Sequence, residues 1–169
     1  KFLHLPERRS RLIFDLDGTV VTVFGKQDGA EVGYNPKYRG KRSYNPLLCL
    51  EANSSFLWDA ELRAGNASPW ESSPALLDTS FATVPPDIRE LRFRADAGFG
   101  FQPVLQELED HDVRYAVVAR LTTPLKNALR GLNYQRANAR WELAETEYRA
   151  HGWSHARRIV AARRLIESE

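Results

Sequence analysis

Leu12-Ile13-Phe14-Asp15-Leu16-Asp17 sets two acids at alternate positions of an otherwise apolar run. Successive side chains of a strand point to opposite faces, so this spacing puts Asp15 and Asp17 on one face and Phe14 and Leu16 on the other. A chain with such a segment needs an apolar layer against one side of a sheet. On the other side it needs something that offsets two neighbouring like charges: a cation, hydrogen bonds or exposure to water. An exposed strand face is the bland reading of the pair, and a cation site is the functional one.

The segments that follow set the plan. Val20–Phe24 prolongs the first strand after Gly18, and 25–40 is a polar, glycine-spaced loop or loose hairpin. Tyr44–Leu50 and Ser55–Leu62 read as strands, with Asn53-Ser54 as the turn between them. Pro74–Thr83 reads as a short helix stopped by Pro85-Pro86. Ile88–Ala95 reads as a strand ending at Asp96, and Val104, Leu105 and Leu108 give 102–110 helical spacing. Val113–Ala119 is a continuous apolar run and therefore a central strand; Pro124–Leu132 is a weak helix. The stretches 140–150 and 157–166 alternate like strands, although the second also fits a basic helix. Three strands joined by short turns predict an antiparallel meander, and the later strand-helix-strand passage predicts a parallel crossover. The expected class is α/β with a mixed sheet, in which the strands ending near Asp17 and Asp96 are neighbours.

A length of 169 residues suffices for a domain with a core, and 43% hydrophobic residues argue against wholesale disorder. The formal net charge of +2 does not announce a nucleic-acid partner; the clustering of the basic residues says more. Arg8, Arg9 and Arg11 form one group, Lys37, Arg39, Lys41 and Arg42 a second, Arg89, Arg92 and Arg94 a third, and Arg157, Arg158, Arg163 and Arg164 a fourth. Arginine suits bidentate phosphate contact, and equally a solvated surface. The single cysteine, Cys49, excludes a disulfide or a cysteine-built zinc site within this chain, and its apolar neighbours predict a small core residue. No signal peptide or membrane-spanning apolar run is visible. The chain starts at Lys1 and contains no methionine, which predicts a trimmed or internal piece.

Asp96 ends a predicted strand just before Ala97-Gly98, a place that often holds site residues in α/β sheets; its bland reading is a turn aspartate bonded to its own backbone. Carboxylates from distant positions that meet at one spot can hold divalent ions, which activate a water or hydroxyl and stabilise the leaving oxygen of a phosphodiester. That chemistry asks for about three acids.

Two family resemblances compete. Phe14-Asp15-Leu16-Asp17-Gly18-Thr19-Val20 resembles the first motif of haloacid-dehalogenase-type phosphatases, which implies Asp15 as nucleophile and Asp17 as general acid/base. Val117-Val118-Ala119-Arg120 has no hydroxyl at the strand end, and no Gly-Asp or Asp-Asp pair follows, so this likeness stops after seven residues.

The other resemblance runs along nearly the whole chain, and it is to the DDE transposases of bacterial insertion sequences. Leu16-Asp17-Gly18-Thr19-Val20 is similar to their first-acid motif, and Arg94-Ala95-Asp96-Ala97-Gly98-Phe99 to their second. Between the two, 25–35, Gly40-Lys41-Arg42-Ser43-Tyr44-Asn45-Pro46-Leu47-Leu48 and Leu62-Arg63-Ala64-Gly65-Asn66-Ala67 resemble family blocks in the right order. Tyr115–Leu121 and the stretch from Gly152-Trp153 to Arg163-Arg164 continue the series.

This resemblance implies a ribonuclease-H-like mixed sheet with flanking helices over 1–135, followed by the start of a β-rich insertion over 136–169. It implies that Asp17 and Asp96 are catalytic and bind Mg2+ (or Mn2+), with Asp15 close by but not a ligand. The implied reaction is hydrolysis and strand transfer at insertion-sequence ends, on double-stranded DNA of transposon ends and target. Lys37, Arg39, Lys41, Arg42 and Asn66 are implied to lie near DNA. A homo-oligomer, no membrane, and a bacterial cytoplasmic location at the nucleoid go with it. The family's third acid is a glutamate on a late helix. Tyr148-Arg149 has the wrong spacing for its motif, and Glu142, Glu145, Glu147, Glu167 and Glu169 do not fit. A fragment truncated before that acid, and inactive alone, is therefore expected.

Overall fold

The computed structural model describes residues 10–68 and 70–165, so Arg8, Arg9, Glu167 and Glu169 lie outside the described residues. The chain forms two compact units that meet in sequence between Val118 and Ala119. The first contains β1 (Arg11–Gly18), β2 (Val21–Thr22), β3 (Glu31–Val32), β4 (Arg42–Tyr44), β5 (Leu47–Glu51), β6 (Phe56–Glu61), α1 (Ser73–Ala82), β7 (Glu90–Ala95), α2 (Gln102–Asp110) and β8 (Arg114–Val117). The second contains α3 (Thr123–Arg130), β9 (Gln135–Arg136), β10 (Trp141–Tyr148) and β11 (Arg157–Arg164).

The main sheet of the first unit runs β6-β5-β1-β7-β8. β1 pairs antiparallel with β5, and β5 with β6, which is the expected meander. β1 pairs parallel with β7, and β7 with β8 through α2, the expected crossover. The acid-studded strand is thus the central one. Its other face is fully apolar: Leu12 and Phe14 are 0% exposed and Leu16 is 2% exposed. The Phe14 ring lies 5.0 Å from that of Trp58 and 6.2 Å from that of Phe81 on α1. Leu77 of α1 and Val104, Leu105 and Leu108 of α2 complete this layer, so both helices cover the Phe14 side. Pro74 and Pro103 sit in the first turns of their helices, where a missing N–H costs nothing. Cys49 is buried in the same layer, and burial pushes its thiol up to about 12 against a weaker opposing hydrogen bond from Ser80.

Three expectations need correction. Tyr44–Leu50 is not one strand: Asn45-Pro46 interrupts it, and β4 and β5 belong to different sheets. Proline has no N–H to give to a ladder, and its carbonyl instead accepts from Thr19 N–H at 3.0 Å. Of Val20–Phe24 only Val21 and Thr22 pair, and they pair with β4 in a small sheet ordered β2-β4-β3. The apolar run after Val113 is not central: β8 is an edge strand among the described residues, with Val118 beyond it 59% exposed.

The small sheet is locked by a loop that returns from β6. Arg63, 6% exposed, donates from Nε to the Asn45 carbonyl and from Nη1 to the Ser68 carbonyl, while its own carbonyl accepts from Asn45 N–H at 2.8 Å. Burial holds its guanidinium below the usual arginine value, with Glu61 and Glu71 opposing. Gly65 comes so close that a Cβ there would stand 2.4 Å from the Glu31 carbonyl and 2.6 Å from that of Ser43. Only glycine fits this approach of two backbones.

In the second unit β10 pairs antiparallel with β11 over all eight residues, from Trp141↔Arg164 to Tyr148↔Arg157, and β9 pairs on the other side of β10. The two segments that alternate like strands are strands, and the basic-helix alternative for the second falls. Cross-strand charge pairs fix them: Arg163 to Glu142 at 2.7 Å, and Arg158 to Glu145 through two bonds at 2.8 and 2.6 Å. The Thr122 hydroxyl caps α3 by accepting from Leu125 N–H, and Leu125 is buried. No helix among the described residues is long and apolar enough to cross a membrane.

Candidate functional site

The parallel register of β1 and β7 pairs Asp15 with Arg94 and Leu16 with Ala95. Asp17 is the next residue of β1 and Asp96 is the residue that follows β7, so the two stand at the carboxyl ends of neighbouring strands, which lie about 4.8 Å apart. By alternation both belong to the face opposite Phe14, and both are exposed. A backbone N–H fixes one oxygen of each: Gly18 N–H donates to Asp17 Oδ1 at 2.8 Å, and Gly98 N–H donates to Asp96 Oδ1 at 2.8 Å. The second bond is the turn expected of a bland aspartate, yet it also aims the carboxylate. A Cβ on Gly98 would stand 2.9 Å from Asp96 Oδ1, so a larger residue here would displace this carboxylate oxygen. Each carboxylate then presents its second oxygen. Two neighbouring, water-accessible carboxylates are an oxygen-only donor set, which suits a hard divalent ion such as Mg2+ or Mn2+ and leaves room for water and phosphate oxygens.

Asp15 is on the same face but is spoken for. Arg94 grips it with two parallel bonds, Nε to Oδ1 and Nη2 to Oδ2, both 2.6 Å. The carboxylate in turn holds the guanidinium more firmly protonated than usual. This pair removes one negative charge from the neighbourhood of Asp17, which lowers the repulsion among three acids on one small surface. Sequence reasoning did not connect Arg94 to Asp15, because the partners are 79 positions apart and no local spacing signals them.

The basic groups fare unequally. Arg92 pairs with Glu90 at 2.8 Å, Arg94 with Asp15, and Arg158 and Arg163 with glutamates, so much of the third and fourth clusters is engaged within the chain. In the second cluster, Arg42 is tied by Nε to the Ala30 carbonyl at 2.7 Å and lies 3.6 Å from Glu31. Lys37, Arg39 and Lys41 are exposed on the turn between β3 and β4. The close approach of Gly33 to Gly65, whose carbonyl would meet a Gly33 Cβ, brings exposed Asn66 to the same small sheet. The structure adds aromatic residues that sequence reasoning passed over. Tyr34 is 81% and Phe24 74% exposed, Phe24 meets Tyr38 edge-on at 5.5 Å, and Lys37 Nζ lies 5.4 Å from the Tyr38 ring. Tyr34, Lys37, Tyr38, Arg39 and Lys41 interleave aromatic and basic residues in sequence, which was the available signal.

A family model described as "Transposase DDE domain group 1" matches residues 1–168. Among solved structures, this chain is similar to the piggyBac transposase in its synaptic complex with hairpin DNA, with a TM-score of 0.50 and 10% sequence identity. The likeness covers 93% of this chain and 34% of that one, so the chain spans about a third of the length of the structure it resembles. At this identity the match speaks for the fold, a mixed sheet of the ribonuclease-H-like transposase type. A search of curated proteins found no match.

Proposed function

Because the chain belongs to the transposase DDE domain family, we propose that it supplies part of the metal-dependent catalytic domain of a DNA transposase, with Asp17 and Asp96 as two of its acids. The observation that supports this reading is the parallel pairing of β1 with β7, whose last registered pair, Leu16 and Ala95, immediately precedes Asp17 and Asp96, 79 residues apart in sequence. Asp17, set by Gly18 N–H, and Asp96, set by Gly98 N–H, would hold Mg2+ or Mn2+. Such an ion supplies Lewis-acid activation of an attacking oxygen and neutralises charge on a phosphodiester. Asp15, neutralised by Arg94, would orient the strand end rather than ligate. We further propose double-stranded DNA of transposon ends and target as the partner, assembly with further copies of the chain, and a place at the bacterial nucleoid. The division into a catalytic core over 1–135 and a β-rich insertion from 136 belongs to the same proposal.

The comparisons lend no support to a phosphatase or to inactivity of the chain alone. A nucleophilic Asp15 also sits poorly with both of its oxygens being bonded to Arg94. Lys37, which lies against the exposed Tyr38 ring, with Arg39, Lys41 and Asn66, would bind the phosphate backbone, while Arg42, tied to Ala30 and Glu31, would contribute less.

Duplex DNA binding, followed by fluorescence anisotropy over a range of salt, tests the reading. Affinity is expected to fall steeply with salt, and replacing Lys37, Arg39 and Lys41 together by alanine should flatten the log–log slope by about 1 per residue removed. Affinity that ignores salt, or a slope unmoved by the triple substitution, would remove this DNA surface from the account.

A further inference from the structure

Asp78 of α1, Glu107 of α2 and His111, the residue that caps α2, gather their donor atoms within 4.8 Å of one another. His111 Nε2 lies 3.3 Å from Asp78 Oδ1 and 3.0 Å from Glu107 Oε1. We propose that these three residues form a second cation site, for Zn2+ or a similar borderline divalent ion, that clamps α1 to α2.

A ring nitrogen offers one proton or one lone pair, directed in the ring plane. It cannot serve two carboxylates in line at once, whereas an ion at the centre of the three serves all of them. The spacing agrees. Zinc holds imidazole nitrogen and carboxylate oxygen at about 2.0–2.2 Å, which puts neighbouring ligand atoms of a tetrahedron about 3.3 Å apart. Glu107 and His111 are one helical turn apart, an i, i+4 pair that can grip an ion from one helix. The Phe81 ring, 5.0 Å from the imidazole and tilted by 60°, seats it against the helix pair. Asp78 and His111 are exposed, so the fourth position is open to water. One imidazole with two carboxylates suits zinc better than magnesium, which demands six near-ideal oxygen ligands. The site is independent of the transposase reading, because α1 and α2 cover the Phe14 side of the sheet and Asp17 and Asp96 stand on the other. The competing view is a protonated histidine in an ordinary surface ion pair.

Calorimetric titration of the chelator-treated chain with ZnCl2 near neutral pH separates the two. One Zn2+ is expected whose affinity drops at least about tenfold in His111→Ala and in Glu107→Gln and is unchanged in Asp17→Asn. Co2+ in its place should give a visible absorption band that His111→Ala removes. Asp78→Asn, at an exposed position of α1, gives the same reading should His111→Ala disturb the end of α2. Zinc uptake equal in wild type and in the His111 and Asp78 variants, or no uptake by wild type, would overturn the proposal.

Discussion

Phe14→Ala is expected to lower unfolding stability by about 3–5 kcal/mol. The ring is fully buried in the central strand, between Trp58 on β6 and Phe81 on α1. Its removal takes away apolar burial and leaves a cavity lined by elements that cannot all close in, since β1 is held on both sides by β5 and β7. Denaturant midpoints measure it, with an unchanged slope against denaturant marking a true stability loss. A cost under about 1 kcal/mol would mean that the sheet face is not packed as described.

Glu51→Ala is expected to cost about 2–4 kcal/mol. Its side chain is fully buried at the end of β5, where it accepts from the backbone N–H groups of Asn53 (3.3 Å) and Ser54 (2.8 Å), from Asn53 Nδ2 (2.9 Å) and from the Ser54 hydroxyl. The carboxylate thus organises the turn into β6. Burial on its own would raise the Glu51 carboxyl, but the bonds from Ser54 and Asn53 together outweigh it, and the net shift is downward from 4.5. A folded value below the unfolded one means stability that is present above pH 4.5 and lost as pH falls through the depressed folded value. Glu51→Gln presents one acceptor oxygen where two served, so it should weaken the turn and remove this acid-sensitive share of stability. Urea unfolding across the acidic range checks both. An acid limb identical in wild type and Glu51→Gln would exclude this carboxylate as its source.

Much of this fold is legible in the sequence where local pattern and tertiary need agree. The alternation around Asp15 and Asp17 identifies β1 and its two faces, and the turn at Asn53-Ser54 joins β5 to β6 as expected. The neighbouring strand ends at Asp17 and Asp96 follow from the order of elements, because a meander followed by a crossover leaves few sheets to build. What could not be read depends on partners far away in sequence. The apolar run at β8 suggests a central strand, yet Val118 beyond it stays exposed. The period of β10 and β11 becomes decisive only once Glu142 faces Arg163 and Glu145 reaches diagonally to Arg158. The grip of Arg94 on Asp15 and the meeting of Asp78 with His111 likewise leave no local trace.

The most direct test of the central claim, that Asp17 and Asp96 share one divalent-cation site, is Mg2+ binding by calorimetry to wild type, Asp15→Asn, Asp17→Asn and Asp96→Asn. Magnesium is chosen because His111 and its neighbours do not suit it. Loss of binding in both Asp17→Asn and Asp96→Asn, with Asp15→Asn near wild type, is the predicted result. Binding that depends on Asp15 and Asp17 but not on Asp96 would contradict the account and return the first strand to a phosphatase-like role.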